Sequence, residues 1–152
     1  MAKLLLTYGT RPITQRIANL LTDKHEVVLA TYEEIPSVLV KKFKSIPNAA
    51  NPVFAHEMLK LCLDQGVDYL LPLGLSEIET LKASTLLFEE YGIQILIPSL
   101  KENQAFTNQI PSNTPIDILK DGQSLIGQQD KNETDKNGIY VLTESTWIPV
   151  II

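Results

Sequence analysis

Cysteine is nearly absent. Cys62 is the only one in 152 residues, so the chain cannot close a disulfide on itself, and a stapled secreted scaffold is excluded. No long apolar run is present either. The opening stretch Leu4 to Leu6 is too short for a signal peptide or a membrane span, so the expected compartment is the cytoplasm, with no membrane partner. Positive charge is in deficit, with 13 Lys and Arg against 18 Asp and Glu and a net charge of −5. The short group Lys41, Lys42 and Lys44 reads as a solvated face, and without a larger basic surface nucleic acid is not an expected partner.

Glycine is sparse as well, at 7 residues, and its placement excludes two nucleotide motifs. No Gly-x-x-x-x-Gly-Lys-Ser/Thr loop exists. The turn Gly9, Thr10, Arg11, Pro12 lies where a dinucleotide-binding protein carries three spaced glycines, but Arg11 and Thr14 fill the second and third places and block close approach of a pyrophosphate. Glu33 and Glu34 stand where a ribose-binding acid would, in a position acids commonly take. His25, His56 and Cys62 lack metal-ligand spacing, and Cys62 reads as a packed thiol. No cofactor, metal or catalytic residue is therefore expected.

What is there is an alternation of strand and helix. Lys3 to Tyr8 reads as a buried strand ending at Gly9, and Pro12 suits the first position of a helix capped by Thr10 or Arg11, with Ile13, Ile17, Leu20 and Leu21 on one face. Val27 to Ala30 predicts a strand buried on both faces. A short helix over Ser37 to Phe43 and an edge strand over Ser45 to Pro47 follow. From Pro52 the residues Phe54, Met58, Leu61 and Cys62 predict a helix stopped by Gly66, ahead of a strand from Asp68 to Leu73.

Ser76 with Glu79 has the form of a capping box, predicting a helix to about Tyr91 that Gly92 ends. Ile93 to Ile97 then reads as a strand, and Ser99 with Glu102 as a second capping box leading to a helix that reaches Phe106. Strand and helix joined by short connections require right-handed crossovers. The predicted fold is thus α/β, a Rossmann-like three-layer sandwich with a mostly parallel sheet of 4–5 strands. After Thr107 the alternation fails. Pro111 and Pro115 mark a linker, Asp121 and Gly122 a hairpin turn, and Gln128 to Gly138 a polar loop. Ile139 to Ile152 has strand-like content, and its apolar end from Trp147 either covers its own sheet or contacts a partner. The chain divides into residues 1–108 and a β-hairpin-like extension, 109–152.

In open parallel sheets ligands bind beyond the carboxyl ends of the strands, where the strand order reverses. That rule selects two turns, Gly9 to Arg11 and Gly74 to Glu77, whose helix N-termini would offer donors to a small anionic ligand while Arg11 adds charge. As turns and caps alone they need no ligand.

The stretch NPVFAHEMLKLCLDQGVDYLLPL from Asn51 to Leu73, continued by Gly74, Leu75, Ser76 and Glu77, resembles the helix, strand and loop of pre-ATP-grasp domains. These are the Rossmann-like lobes in front of ATP-grasp ligases of the carbamoyl phosphate synthetase and biotin carboxylase type. The stretch YGIQILIPSLKENQAFTN from Tyr91 to Asn108 is similar to that family's exit strand and the short helix beyond it. The resemblance covers residues 1 to about 108. It implies a lobe that contributes one side of a substrate cleft, lined at most by Gly9, Thr10, Arg11, Gly74, Ser76 and Glu77, while ATP and magnesium belong to lobes for which some forty further residues are too few. The resulting expectation is a non-catalytic lobe that associates with itself or with a separately encoded ATP-grasp ligase. The rival expectation is a small-metabolite or nucleotide-binding module using the crevice between the two turns, and a free-standing enzyme is the third.

Overall fold

A computed structural model describes residues 1–99, 106–111, 113–127, 136–143 and 146–152. It divides into two compact units, Met1–Ile95 and Leu96–Ile152. The first holds five parallel strands, β1 (Lys3–Leu6), β2 (Glu26–Thr31), β3 (Phe43–Ser45), β4 (Tyr69–Leu71) and β5 (Gln94–Ile95), in the order β3-β2-β1-β4-β5. The α/β Rossmann-like reading therefore holds. The path runs outward from β1 to β3, then returns across the sheet to β4 and β5. Right-handed crossovers consequently place the helices of the two halves on opposite faces.

Leu4, Leu5 and Leu6 in the central strand are all fully buried. Successive strand residues point to opposite faces, so both faces are covered there, and each leucine contributes about 2 kcal/mol by leaving water. β1 pairs with β2 from Lys3↔Glu26 to Leu6↔Leu29 and with β4 from Leu4↔Tyr69 to Leu6↔Leu71. The strand is shorter than the expected Lys3 to Tyr8, because Tyr8 turns into the left-handed region at φ 54° and ends the extended path. β2 is less buried than expected: Val27, Val28 and Leu29 are half-buried, and only Ala30 and Thr31 are closed off.

Helix α1 (Pro12–Leu21) opens as its sequence predicts, with Arg11 at the cap and Pro12 first. Its buried face is Thr14, Ile17, Ala18 and Leu21, and the expected Leu20 turns outward at 37% exposure. Over the expected Ser37 to Phe43 helix only one 3₁₀ turn forms, Ser37–Leu39, and after a further turn over residues 40–42 β3 begins, so the edge strand starts two residues earlier than its sequence suggests. Val38 is 86% exposed: a segment without an apolar face against the core gains too little to extend a helix.

Helix α2 (Phe54–Gln65) buries Phe54, Met58, Leu59 and Cys62, and Gly66 ends it at φ 66° with its N–H on the Cys62 and Leu63 carbonyls. The next helix corrects two expectations. It starts at Leu75, with Gly74 as the cap and Glu77 reaching back to the Gly74 N–H, so the cap is Gly74 and Glu77 in place of Ser76 and Glu79. Nor does it run unbroken to Tyr91. α3 (Leu75–Leu81) gives way to a 3₁₀ turn, Lys82–Ser84, before α4 (Thr85–Glu90). At the break the Thr85 hydroxyl bonds the Lys82 carbonyl, a local side-chain contact that competes with the helical ladder. The strand expected over Ile93 to Ile97 is confined to β5, and the helix expected from Ser99 to Phe106 falls mainly on residues 100–105, outside the described ones.

The second unit is an antiparallel sheet of β6 (Ile116–Lys120), β7 (Gln123–Ser124), β8 (Gly138–Thr143) and β9 (Thr146–Pro149), in the order β7-β6-β8-β9. Asp121 at φ 49° and Gly122 at φ 81° form the predicted turn between β6 and β7, since two left-handed residues match the strand twist. Most of the expected polar loop, residues 128–135, lies outside the described residues. In the apolar end Val150 and Ile151 are buried, and their N–H groups bond the Ile139 and Thr107 carbonyls.

Candidate functional site

The strand order reverses at β1, so the switch point lies between the turns that leave β1 and β4. These are the two turns that sequence reasoning selects, and they lock together. The buried Thr7 hydroxyl accepts the Leu73 N–H at 2.8 Å and donates to Oε1 of Glu77 at 2.5 Å, and the Gly74 N–H also reaches that oxygen at 3.3 Å. Glu77 is only 2% exposed. Burial pushes its carboxyl from an ordinary 4.5 up to about 7, the bonds from Thr7 and Gly74 opposing the shift. Glu77 is thus an internal cap: its own carboxyl oxygen takes the Gly74 N–H at the start of α3.

Tyr8 packs against the second turn at Gly74. A side chain on Gly74 would place its Cβ 2.4 Å from Cε2 of Tyr8 and 2.7 Å from its hydroxyl oxygen, so glycine there makes room for the ring. The backbone of Gly74 is ordinary extended chain at φ −92°, and close approach is what requires the glycine. Ser76 hydrogen-bonds the Tyr8 side chain. Burial, followed by the nearby Glu77 and Tyr32, raises the Tyr8 phenol above its ordinary 10.0, and Arg11 partly offsets them. The ring meets Tyr32 edge-on at 5.6 Å and 79°, and the Arg11 guanidinium lies 5.7 Å from its centroid.

Arg11 and Thr10 turn to the end of β2. Nε of Arg11 donates to Oε1 of Glu33 at 3.3 Å, and the Thr10 hydroxyl donates to the same oxygen at 3.0 Å. The Arg11 side chain is about half exposed, so the pair is worth at most about 1 kcal/mol, but it fixes where the guanidinium points. Gly9 belongs to packing. Its N–H bonds the Ala30 carbonyl at 2.8 Å, and a Cβ there would lie 3.0 Å from that of Leu29 and 3.1 Å from Cδ1 of Phe43.

The expected residues therefore separate into two groups that Tyr8 bridges. Thr10 and Arg11 gather on Glu33, whereas Gly74 and Glu77 gather on Thr7. Sequence reasoning missed Thr7, Tyr8 and Tyr32. The one local trace of Thr7 is a hydroxyl directly after three buried leucines, where only a bonded polar group is tolerated. Beside the switch point a cavity of about 500 Å³ opens beyond the ends of β2 and β3, lined by Tyr32, Glu33, Glu34, Ile35, Phe43 and Lys44 among others.

Among the described residues no cluster of His, Cys, Asp or Glu could hold a metal ion, and no helix is long and apolar enough to cross a membrane. No family model matches the chain, and neither does any curated protein.

Proposed function

We propose that the parallel-sheet unit is a non-catalytic docking lobe of the pre-ATP-grasp kind, which works by joining either copies of itself or a separately encoded ATP-grasp ligase. The observation that carries this reading is the filled crevice. At the place where open α/β sheets take ligands, the Tyr8 ring packs on Gly74, Glu77 caps its own helix, and Arg11 is held by Glu33. A small molecule entering there would have to displace Tyr8 and release bonds already made. The strand order β3-β2-β1-β4-β5 supports the resemblance to the pre-ATP-grasp lobe, whose part is to form a wall of a cleft.

Calorimetric titration of the chain into such a ligase tests the reading, with ligase turnover followed in parallel. One-to-one binding that alters turnover is expected. Absence of both a complex and self-assembly at any concentration would sink it.

The 500 Å³ cavity beyond β2 and β3 favours a second reading, a small-metabolite module, because its size falls in the usual range of ligand sites and Glu33, Glu34 and Lys44 give it polar anchors. On that reading a ligand stabilises the fold and Glu33→Gln removes the effect. On the docking reading neither is seen.

A further inference from the structure

The two edges of the parallel sheet carry surfaces that differ in shape and in charge. On the β3 side an open groove of about 760 Å³ runs between α1 and the segment entering β3, lined by Pro12, Leu20, Leu39 and Phe43, by the polar Thr10, Gln15 and Asn19, and by the cations Arg16 and Lys42. Beside it Val38 and Val40 are 86% and 56% exposed, and Lys41 is also at the surface. The formal charge of the run Val38 to Lys44 is positive in a chain whose net charge is −5.

On the β5 side α4 presents the converse. Phe88 anchors it in the core, while Leu86, Leu87 and Tyr91 stand out at 76%, 44% and 55% exposure, interspersed with the exposed acids Glu89 and Glu90. Lys82, one turn before α4, is the nearest cation in sequence. A short helix with protruding leucines and an acidic end fits a partly apolar groove that carries basic side chains. Three strands, β2, β1 and β4, separate the two edges, so one molecule cannot satisfy both surfaces on itself.

We infer that a second copy of this chain docks its α4 into the groove between α1 and β3, joining molecules head to tail. The inference rests on the docking reading above and names its partner as self. Because the two surfaces differ, the contact is heterologous, and repetition gives a ring or an open chain, not a closed two-fold dimer. Leu86 and Leu87 enter the groove, and Glu89 and Glu90 face Lys41 and Lys42.

Sedimentation equilibrium of the full chain with two charge-reversed variants, Lys41→Glu/Lys42→Glu and Glu89→Lys/Glu90→Lys, tests it. The wild type should exceed the 17.0 kDa of one chain, with a mass that rises past two chains as concentration increases and falls with added salt. Like charges facing each other oppose docking, so each variant alone should weaken assembly by at least about tenfold. An equimolar mixture should restore it, because the acidic head of one variant then meets the basic tail of the other. All four positions are exposed, and an unchanged circular dichroism melt separates lost contact from lost fold.

A wild type that stays at one chain mass up to millimolar concentration overturns the inference. So do variants that assemble as well as the wild type, or a mixture no better than its parts. If self-assembly fails while a separate ligase is bound, this inference falls and the docking reading stands. If a small molecule stabilises the fold through Arg11, the docking reading itself falls.

Discussion

The Thr7 hydroxyl donates a 2.5 Å hydrogen bond to the Glu77 carboxyl, joining the end of the central strand to a helix seventy residues further along. Around that bond the two turns at the strand reversal become one unit. At the position that a ligand would take in other parallel sheets, the Tyr8 ring packs against Gly74.

The bond carries a pH dependence. Glu77 titrates near 7 in the folded chain against 4.5 ordinarily, so the fold favours the protonated form. A raised folded pKa gives stability that is fully present below 4.5 and is lost as pH rises through 7. The difference corresponds to about 3 kcal/mol. Glu77→Gln keeps an oxygen for Thr7 and Gly74 but cannot ionise. Thermal melts across this window should show the wild type losing stability relative to the variant as pH rises, and parallel curves would mean that Glu77 titrates normally.

Gly74 and Tyr8 should behave as one unit in a double-mutant cycle. Gly74→Ala forces a methyl group into the Tyr8 ring and should cost about 1–3 kcal/mol in denaturant unfolding. Tyr8→Gly loses the ring but relieves the left-handed backbone at φ 54°. In the Tyr8→Gly background Gly74→Ala should become nearly neutral, giving a large coupling between the two sites. Additive costs would show that the ring does not fill that space.

Cys62 is fully buried on α2, and burial pushes its thiol up to about 12. It should resist alkylation in the folded protein and react at the rate at which the fold opens. Immediate labelling under native conditions would place the thiol at the surface.

In the second unit Gly122→Ala should destabilise the β6–β7 hairpin by about 1 kcal/mol or more, because alanine resists the φ of 81° that the turn requires. Amide exchange of Leu125, whose N–H bonds the Ile118 carbonyl, reports it directly. Unchanged protection would mean that the turn does not hold the pair.

The features legible in the sequence are those that local chemistry decides. Leu4 to Leu6 announces a doubly covered strand, Pro12 a helix start, Gly66 a left-handed cap, and Asp121 with Gly122 a tight turn. Each depends on neighbours within a few residues. The Glu77 cap is two residues from the one its sequence predicts, because Ser76 with Glu79 and Gly74 with Glu77 share one spacing and glycine offers no side chain to mark the cap. The break at Lys82–Ser84 depends on a hydroxyl choosing a backbone partner. The closing of the crevice left the least trace, since Thr7 and Tyr8 act on residues that chain order puts far away and the packing of Tyr8 on Gly74 is a matter of shape.

The docking role proposed for this lobe requires that no small ligand enters the crevice between the β1 and β4 turns, where Tyr8 packs on Gly74. Thermal melting of the wild type and of Arg11→Ala in the presence of magnesium ATP, amino acids and small carboxylates tests it most directly. A ligand at a hundred times its dissociation constant adds about 2.7 kcal/mol, which raises the melting temperature by several degrees. The account predicts no shift with any of them. A shift of that size in the wild type, lost in Arg11→Ala, would contradict it.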